Sequence, residues 1–584
     1  MMRSRVMVIL AAVLVGSWGG EVPAQPSGHS DPSKIRISPQ SSTDPLDRPG
    51  FIVIRPGGRP PSLGVRQPKS ATPVLPKQPA ELTNAGLAVP PPNDKLPADT
   101  IFDYWFVASV EGQRIGYVHW SAKKVKKEDR ELWIGVKYQN FTVSRFGQTV
   151  NQWGEESTVE APTGEVFITG LRQGIGKDQM LILNGIVEGN MLKIQGDGVA
   201  KGATDTPWPG GVVGCVREPM LFQQHKQLKI GESFDYLTYV GVVNRVVKMT
   251  ATLEDEETHT LWLKEPARKL LRYVTKMEPV ANFRLPPATT WVDAETREPL
   301  KMEFDFPGFG GRVSFLRTTQ EAATLPVTRP LELFNAQSIR LDREIPGIHK
   351  ARRVVYKVTA AKDDDPTTLF TSDGRQEIKN YDRQTQSLEL HIRERRGPIK
   401  DAAAQPAPGP EFTASNYFIN WDNDAVKRHA AHATQHLPAA ASAWTKAVAV
   451  EKWVHENMKA FEFSQAMATA DHVAKTLSGD CTEYAMLAAA MCRAVGVPSR
   501  TVLGLVYAPA KDGKPYLAYH MWLEVFAEGQ WLPLDPTLAL GGVGPGHVKI
   551  ADHSWHEEKT LAPLLPVLRV LSAKPSVRVL QVEP

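Results

Sequence analysis

The sequence predicts an α+β chain: mostly antiparallel β structure first, then helices packed on a second antiparallel sheet. Three patterns carry this expectation. Between Ile101 and Pro326, apolar and polar residues alternate with the two-residue period of strands, punctuated by turn dipeptides. After Pro410 the apolar residues recur at the three-to-four spacing of helices. From Arg500 alternation returns, through a strand, a loop and a tight hairpin.

The chain has 584 residues, several domains' worth at roughly 100–200 residues each. Arg3 and Arg5 precede ten apolar residues, Val6 to Val15, and the small-residue site Val22-Pro23-Ala24. This is the layout of a cleavable secretory signal over residues 1–24. Ten apolar residues are half of the ~20 that a membrane span needs. Of the 46 prolines, 17 lie between Pro23 and Pro97. Residues 25–100 therefore read as a disordered, Pro-rich tether, too poor in apolar surface to offset its ordering entropy.

The β-rich region follows over 101–326. Hairpins are expected around Glu111-Gly112, Gly189-Asn190 and Ala294 to Pro299, with one short helix near Glu218 to Gln227. Strands at Arg353 to Ala360 and Ser387 to Arg393 make 327–400 a second β unit or an extension of the first. Residues 401–415, with alternating Ala and Pro, read as a linker. Residues 416–552 form the mixed unit, and 553–584 a C-terminal extension. The hairpin built on Trp291-Val292-Asp293 resembles those of bacterial envelope half-barrel β domains.

In the mixed unit, Val426, Ala430, Ala433 and Leu437 form one apolar stripe, and Trp444, Val448, Val450 and Val454 suggest a second helix. A third is expected to begin at Ser478-Gly479-Asp480-Cys481 and to stop at Gly496 and Pro498. Cys481 would then occupy the first turn, where free N–H groups and the positive helix end favour a thiolate. The following strand pair is Tyr516 to Phe526 and Trp531 to Leu534, joined by the two-residue turn Glu528-Gly529. That turn pairs Phe526 with Trp531 and so brings Asp535 diagonally beside His520, on one face. A carboxylate there can hold one imidazole nitrogen and leave the other to activate a thiol.

The stretches SGDCTEYAMLAAAMCRAVGVPSRTVLGL, YHMWLEVFAEGQWLPLDPT and GHVKIADHSW resemble the bacterial transglutaminase-like family, which has a papain-like cysteine-protease architecture. The resemblance covers about 416–552. It implies that Cys481 is the nucleophile, His520 the general base and acid, and Asp535 the carboxylate that orients His520. No upstream side chain is assigned as oxyanion donor; Trp453 is read as a packing residue.

Other signals carry less. Cys481 and Cys492 are 11 residues apart on one helix, about 16 Å, beyond the ~7 Å reach of a disulfide. Cys492 and Cys215 are expected to be buried and inert. His429, His432 and His436 share one side of a helix but lack a nearby carboxylate, so no metal or cofactor is expected. A net charge of +4 on 132 charged side chains gives no case for nucleic acid. The expected protein is a secreted or periplasmic thiol enzyme. It would act on peptide or amide bonds of a protein or peptide substrate, cell-envelope material included, with no integral membrane segment after signal removal. The other reading is a non-catalytic envelope scaffold or binding protein built on an inert domain of the same kind.

Overall fold

The computed structural model describes residues 87–90, 96–145, 148–174, 180–198, 203–262, 265–279, 286–306, 309, 311–333, 338–361, 363, 365–400, 403–461, 468–509, 515–556 and 562–584. The expected signal segment, most of the Pro-rich stretch and the Asp512-Gly513 loop lie outside them. Among the described residues no helix is long and apolar enough to cross a membrane.

The N-terminal region is one large sheet, 16-stranded, whose first strand lies in its middle. Strands from Thr100–Val110 to Met191–Gly198 each pair antiparallel with the next in sequence. Gly311–Thr318 then pairs with the other edge of Thr100–Val110. From there the path runs back through Pro299–Phe306, Ala288–Asp293, Arg268–Met277, Arg245–His259 and Ser233–Val240. Alternation explains the register. Phe102, Tyr104, Phe106, Ala108 and Val110 are all buried, as period-two side chains sharing one face should be. Trp120, Phe141 and Phe315 join them in the same core.

The end of the Pro-rich stretch differs from a tether that is disordered throughout. Leu87 and Val89 pack on Val107, Trp262, Trp291 and Leu316, and the Thr318 hydroxyl donates to the Ala88 carbonyl at 2.8 Å. Local composition could not reveal an apolar patch made by strands some 200 residues later.

Two smaller sheets follow. Ser338–Arg340, Tyr516–Ala527, Ser499–Ala508 and His547–His553 form one in that order, with Gln530–Leu534 also pairing with Tyr516–Ala527. The other has the order Gln376–Asp382, Ser387–Arg393, Arg353–Thr359, Ser576–Glu583. The C-terminal segment is thus not a simple extension: its last strand pairs antiparallel with Arg353–Thr359, with one bulge between Val355 and Tyr356. The region between 338 and 400 also reaches the sheet of the mixed unit. The Arg375 guanidinium donates to the His547 carbonyl, and the Gln376 amide to the Lys549 carbonyl.

Helices Asp424–Thr434, Ala443–Asn457, Ala470–Thr476 and Cys481–Ala494 complete the mixed unit. The last is buried along nearly its whole length, from Cys481 to Arg493. Such a helix is central, with the other three helices and the strands around it.

Candidate functional site

The Cys481 helix begins where it does because its first turn is capped twice. The Asp480 carboxylate accepts from the Thr482 N–H at 2.7 Å, and the Glu483 carboxylate accepts from the Asp480 N–H at 3.0 Å. This reciprocal pair satisfies donors that a helix start otherwise leaves unpaired. Glu483 also accepts from the Ala468 N–H at 3.0 Å, tying the preceding segment to the cysteine turn. Burial, then the adjacent Asp480 charge, push the Glu483 carboxyl well above its ordinary range. Gly479 has φ of +143°, and a β-carbon there would run into the Glu483 side chain. Only glycine fits that approach to Cys481.

His520 and Asp535 meet as the hairpin register requires. The ladder runs from Ala527↔Gln530 to Leu523↔Leu534. One residue further on, Asp535 Oδ2 lies 2.9 Å from His520 Nε2. The remaining ring nitrogen of His520 is left for the Cys481 sulfur, which hydrogen-bonds the His520 ring. The three predicted residues are therefore together, and all are buried: Cys481 7%, His520 6% and Asp535 0% exposed.

A second histidine, which sequence reasoning did not single out, shares the same oxygen. His547 Nε2, from a strand two places along the sheet from that of His520, lies 2.9 Å from Asp535 Oδ2. Asp535 Oδ1 accepts from the Thr537 N–H at 2.9 Å, so both carboxylate oxygens are engaged. Below this turn the buried Glu451 carboxyl accepts from the Asp535 N–H at 3.0 Å and the Gly541 N–H at 3.2 Å. Gly504, opposite His520 in register, gives the Trp522 ring its room; a β-carbon there would meet the ring and the Val548 carbonyl. Trp522 then reaches His547, ring centroids 5.2 Å apart and nearly perpendicular.

Electrostatics follow from burial set against pairing. Burial disfavours the charged form of every group here, and pairing decides which groups resist it. Burial alone would lower His520, but the Asp535 charge and the Cys481 sulfur outweigh it, and its pKa is raised to about 10. Burial alone would raise Asp535, but the His520 charge and the hydrogen bonds from both histidines hold it far below the usual carboxylate range. For His547 burial wins and lowers it to about 4, so it is neutral. Burial also raises Glu451 to about 8, assisted by the Asp535 charge.

Among the described residues, His520, Asp535 and His547 form a group offering three metal-ligand atoms within 4.8 Å of one another. Both imidazole–carboxylate separations are 2.9 Å, whereas ligand atoms across a tetrahedral zinc with ~2.0 Å bonds stand about 3.3 Å apart. An N–H donor from each ring to one carboxylate oxygen accounts for both distances. The group fits hydrogen bonding better than metal coordination.

The remaining candidates stand apart from the site. Cys492 is fully buried in the Cys481 helix, its thiol pushed up by burial, and Cys215 is fully buried in the large sheet region. His429 meets the Ala474 carbonyl at 2.8 Å, and the buried Trp453 donates to His432 Nδ1 at 3.3 Å. Those histidines pack a helix pair.

Residues 429–536 match the transglutaminase-like superfamily, so the chain carries a domain of that superfamily. Cys481, His520 and Asp535 fall inside the match and His547 beyond it. No curated protein matches the chain. Among solved structures, a candidate cysteine protease from Cytophaga hutchinsonii is similar at 15% identity, with 38% of this chain and 83% of that one covered and a TM-score of 0.24. The periplasmic domain of TgpA from Pseudomonas aeruginosa, bound to ethylmercury, is similar at 16% identity, covering 35% and 83%, with a TM-score of 0.22. A β-barrel-like domain of unknown function from Brucella abortus is similar at 6% identity, covering 38% and 98%, with a TM-score of 0.28.

Proposed function

We propose that this chain, which carries a transglutaminase-like domain, is an exported thiol enzyme that transfers acyl groups from peptide or amide bonds. The observation that carries the reading is the buried line Cys481–His520–Asp535, a thiol, an imidazole and a carboxylate joined by hydrogen bonds. Export is supported by the basic, apolar and small-residue order of residues 3–24.

In this mechanism the Cys481 thiolate attacks the carbonyl carbon while His520 is an imidazolium held by Asp535. As the tetrahedral intermediate collapses, the C–N bond breaks and His520 Nδ1 passes its proton to the leaving amine. A thioester on Cys481 remains. Water or a primary amine then attacks it, His520 Nδ1 takes the proton of that nucleophile, and the C–S bond breaks to restore the thiolate. Water gives hydrolysis and an amine gives transamidation. Asp535 keeps Nε2 protonated throughout, which presents Nδ1 to the reacting atoms.

A peptide library offered with and without a primary amine tests the reading. Wild type should yield cleaved, deamidated or amine-bearing products that Cys481→Ala does not form. Identical product spectra from the two proteins would remove the enzymatic reading in favour of a scaffold.

A further inference from the structure

We propose that His547 is a positioning residue of this site, holding Asp535 as an oriented carboxylate by donating an Nε2–H hydrogen bond to the same oxygen that holds His520. The inference rests on the proposed thiol-enzyme reading and assigns a fourth residue to it.

The geometry fixes the tautomer. Asp535 Oδ2 stands 2.9 Å from Nε2 of both histidines. An ionised carboxylate only accepts, so each of those nitrogens must carry a proton. Among the described residues His547 Nδ1 is buried without a hydrogen-bond partner, and His547 itself is 0% exposed. A second proton at Nδ1 would leave a buried donor with nothing to donate to, which is costly. His547 is thus a neutral imidazole with its single proton on Nε2. Burial acts in the same direction, keeping its pKa near 4.

The groups facing His547 permit no other role for that proton. From Tyr516–Ala527, across the intervening strand Ser499–Ala508, comes His520, ring centroids 5.9 Å away, and from the turn comes Asp535. From the loop before Arg353–Thr359 comes His349, with centroids 5.6 Å apart, its backbone carbonyl bound by Arg396. From the second small sheet comes Arg375, whose guanidinium binds the His547 backbone carbonyl at 2.9 Å. Asp535 is the acceptor among them. Trp522 closes the remaining side with its ring edge-on.

The consequence is electrostatic as well as steric. A hydrogen bond to a charged form favours that form. Two side-chain donors and the Thr537 N–H keep Asp535 ionised although it is fully buried. Removing one of them leaves a buried carboxylate lone pair unmatched and Asp535 free to turn. Its hold on the His520 imidazolium then weakens, and the Cys481 thiolate that pairs with that imidazolium takes up its proton at higher pH.

The test uses the whole protein and iodoacetamide, so it needs no substrate. The rate of Cys481 alkylation is followed from pH 4 to 9 by peptide mass analysis in wild type, His547→Leu and His547→Gln. Glutamine carries an N–H donor near the imidazole Nε2 position; leucine carries none. The expected result is an acid limb moved up by about one pH unit in His547→Leu, a roughly ten-fold slower reaction on that limb, and return toward wild type in His547→Gln. Superimposable profiles for wild type and His547→Leu overturn the inference, as does a glutamine variant displaced as far as the leucine one. Should labelling of Cys215 and Cys492 show that His547→Leu is unfolded, His547→Asn takes its place, since it is too short to reach Asp535. Equal profiles for Asn and Gln then overturn the inference. A wild-type Cys481 that reacts as an ordinary thiol defeats the thiol-enzyme reading itself, a separate outcome.

Discussion

His520 and Asp535 stand on the two arms of one hairpin, with Nε2 and Oδ2 2.9 Å apart, three residues and one residue beyond the last pair of the ladder. Their meeting is set by a two-residue turn eight residues from His520, so the imidazole and its carboxylate form one local unit. Only Cys481 has to be delivered from elsewhere in the chain.

Asp535→Asn keeps the size of the side chain and removes its charge. The amide cannot sustain the His520 imidazolium, and it can present the wrong group to Nε2. Turnover of any acyl substrate should fall by about 10³-fold or more with little change in KM. Steady-state kinetics check this, and an effect confined to KM would contradict the proposed role.

The proposed ion pair has a pH window. His520, raised to about 10, keeps its proton across neutral pH in the folded protein, while an unfolded histidine loses it near the ordinary 6.5. The stability contributed by this pairing is therefore fully present below pH 6.5 and is lost as pH rises through about 10. Thermal melts between pH 6 and 11 should show a steeper alkaline decline for wild type than for His520→Ala. In the same folded protein iodoacetamide at pH 6 should label Cys481 alone, and His520→Ala should abolish that selectivity.

Glu451 braces the Asp535 turn through backbone N–H groups, and its raised pKa of about 8 has a measurable sign. Its folded form retains a proton that the unfolded form releases near 4.5, so its contribution to stability declines as pH rises toward 8. Glu451→Gln should flatten that part of the profile. At pH 5 it should lower the melting temperature, because an amide N–H₂ then faces a backbone donor, a loss of about 1–3 kcal/mol, and that gap should narrow as pH rises toward 8. Calorimetry at pH 5 and 8 reads both effects.

Gly479→Ala should be destabilising beyond what a surface change produces. At φ of +143° an L-residue is strained, and the added methyl collides with Glu483, which holds the cap of the Cys481 helix. The expected cost is roughly 2 kcal/mol or more. A melting temperature equal to that of wild type would show that the turn relaxes freely.

Local patterns carried the site. The hairpin arithmetic from Glu528-Gly529 brought Asp535 to His520, and the glycine-stopped helix put Cys481 in a first turn. The Asp-x-x-Glu pattern over 480–483 is the local signal for the capping role of Glu483. What stayed hidden depends on distant pairing. His547 lies in a strand whose neighbour in the sheet is Ser499–Ala508, and nothing local says that its ring points at Asp535. Ser576–Glu583 closes a sheet begun at Arg353, more than 200 residues earlier. Leu87 and Val89 look like tether until Trp262 and Trp291 are folded beside them.

The central claim is that Cys481 becomes acylated with the help of His520. Treatment with an excess of p-nitrophenyl acetate at pH 7, followed by intact mass and peptide mapping, measures this directly. A burst of one equivalent of nitrophenolate with a single acetyl group on Cys481, lost in Cys481→Ala and strongly slowed in His520→Ala, is the predicted result. An adduct that forms equally fast in His520→Ala, or none on Cys481 at all, would contradict it.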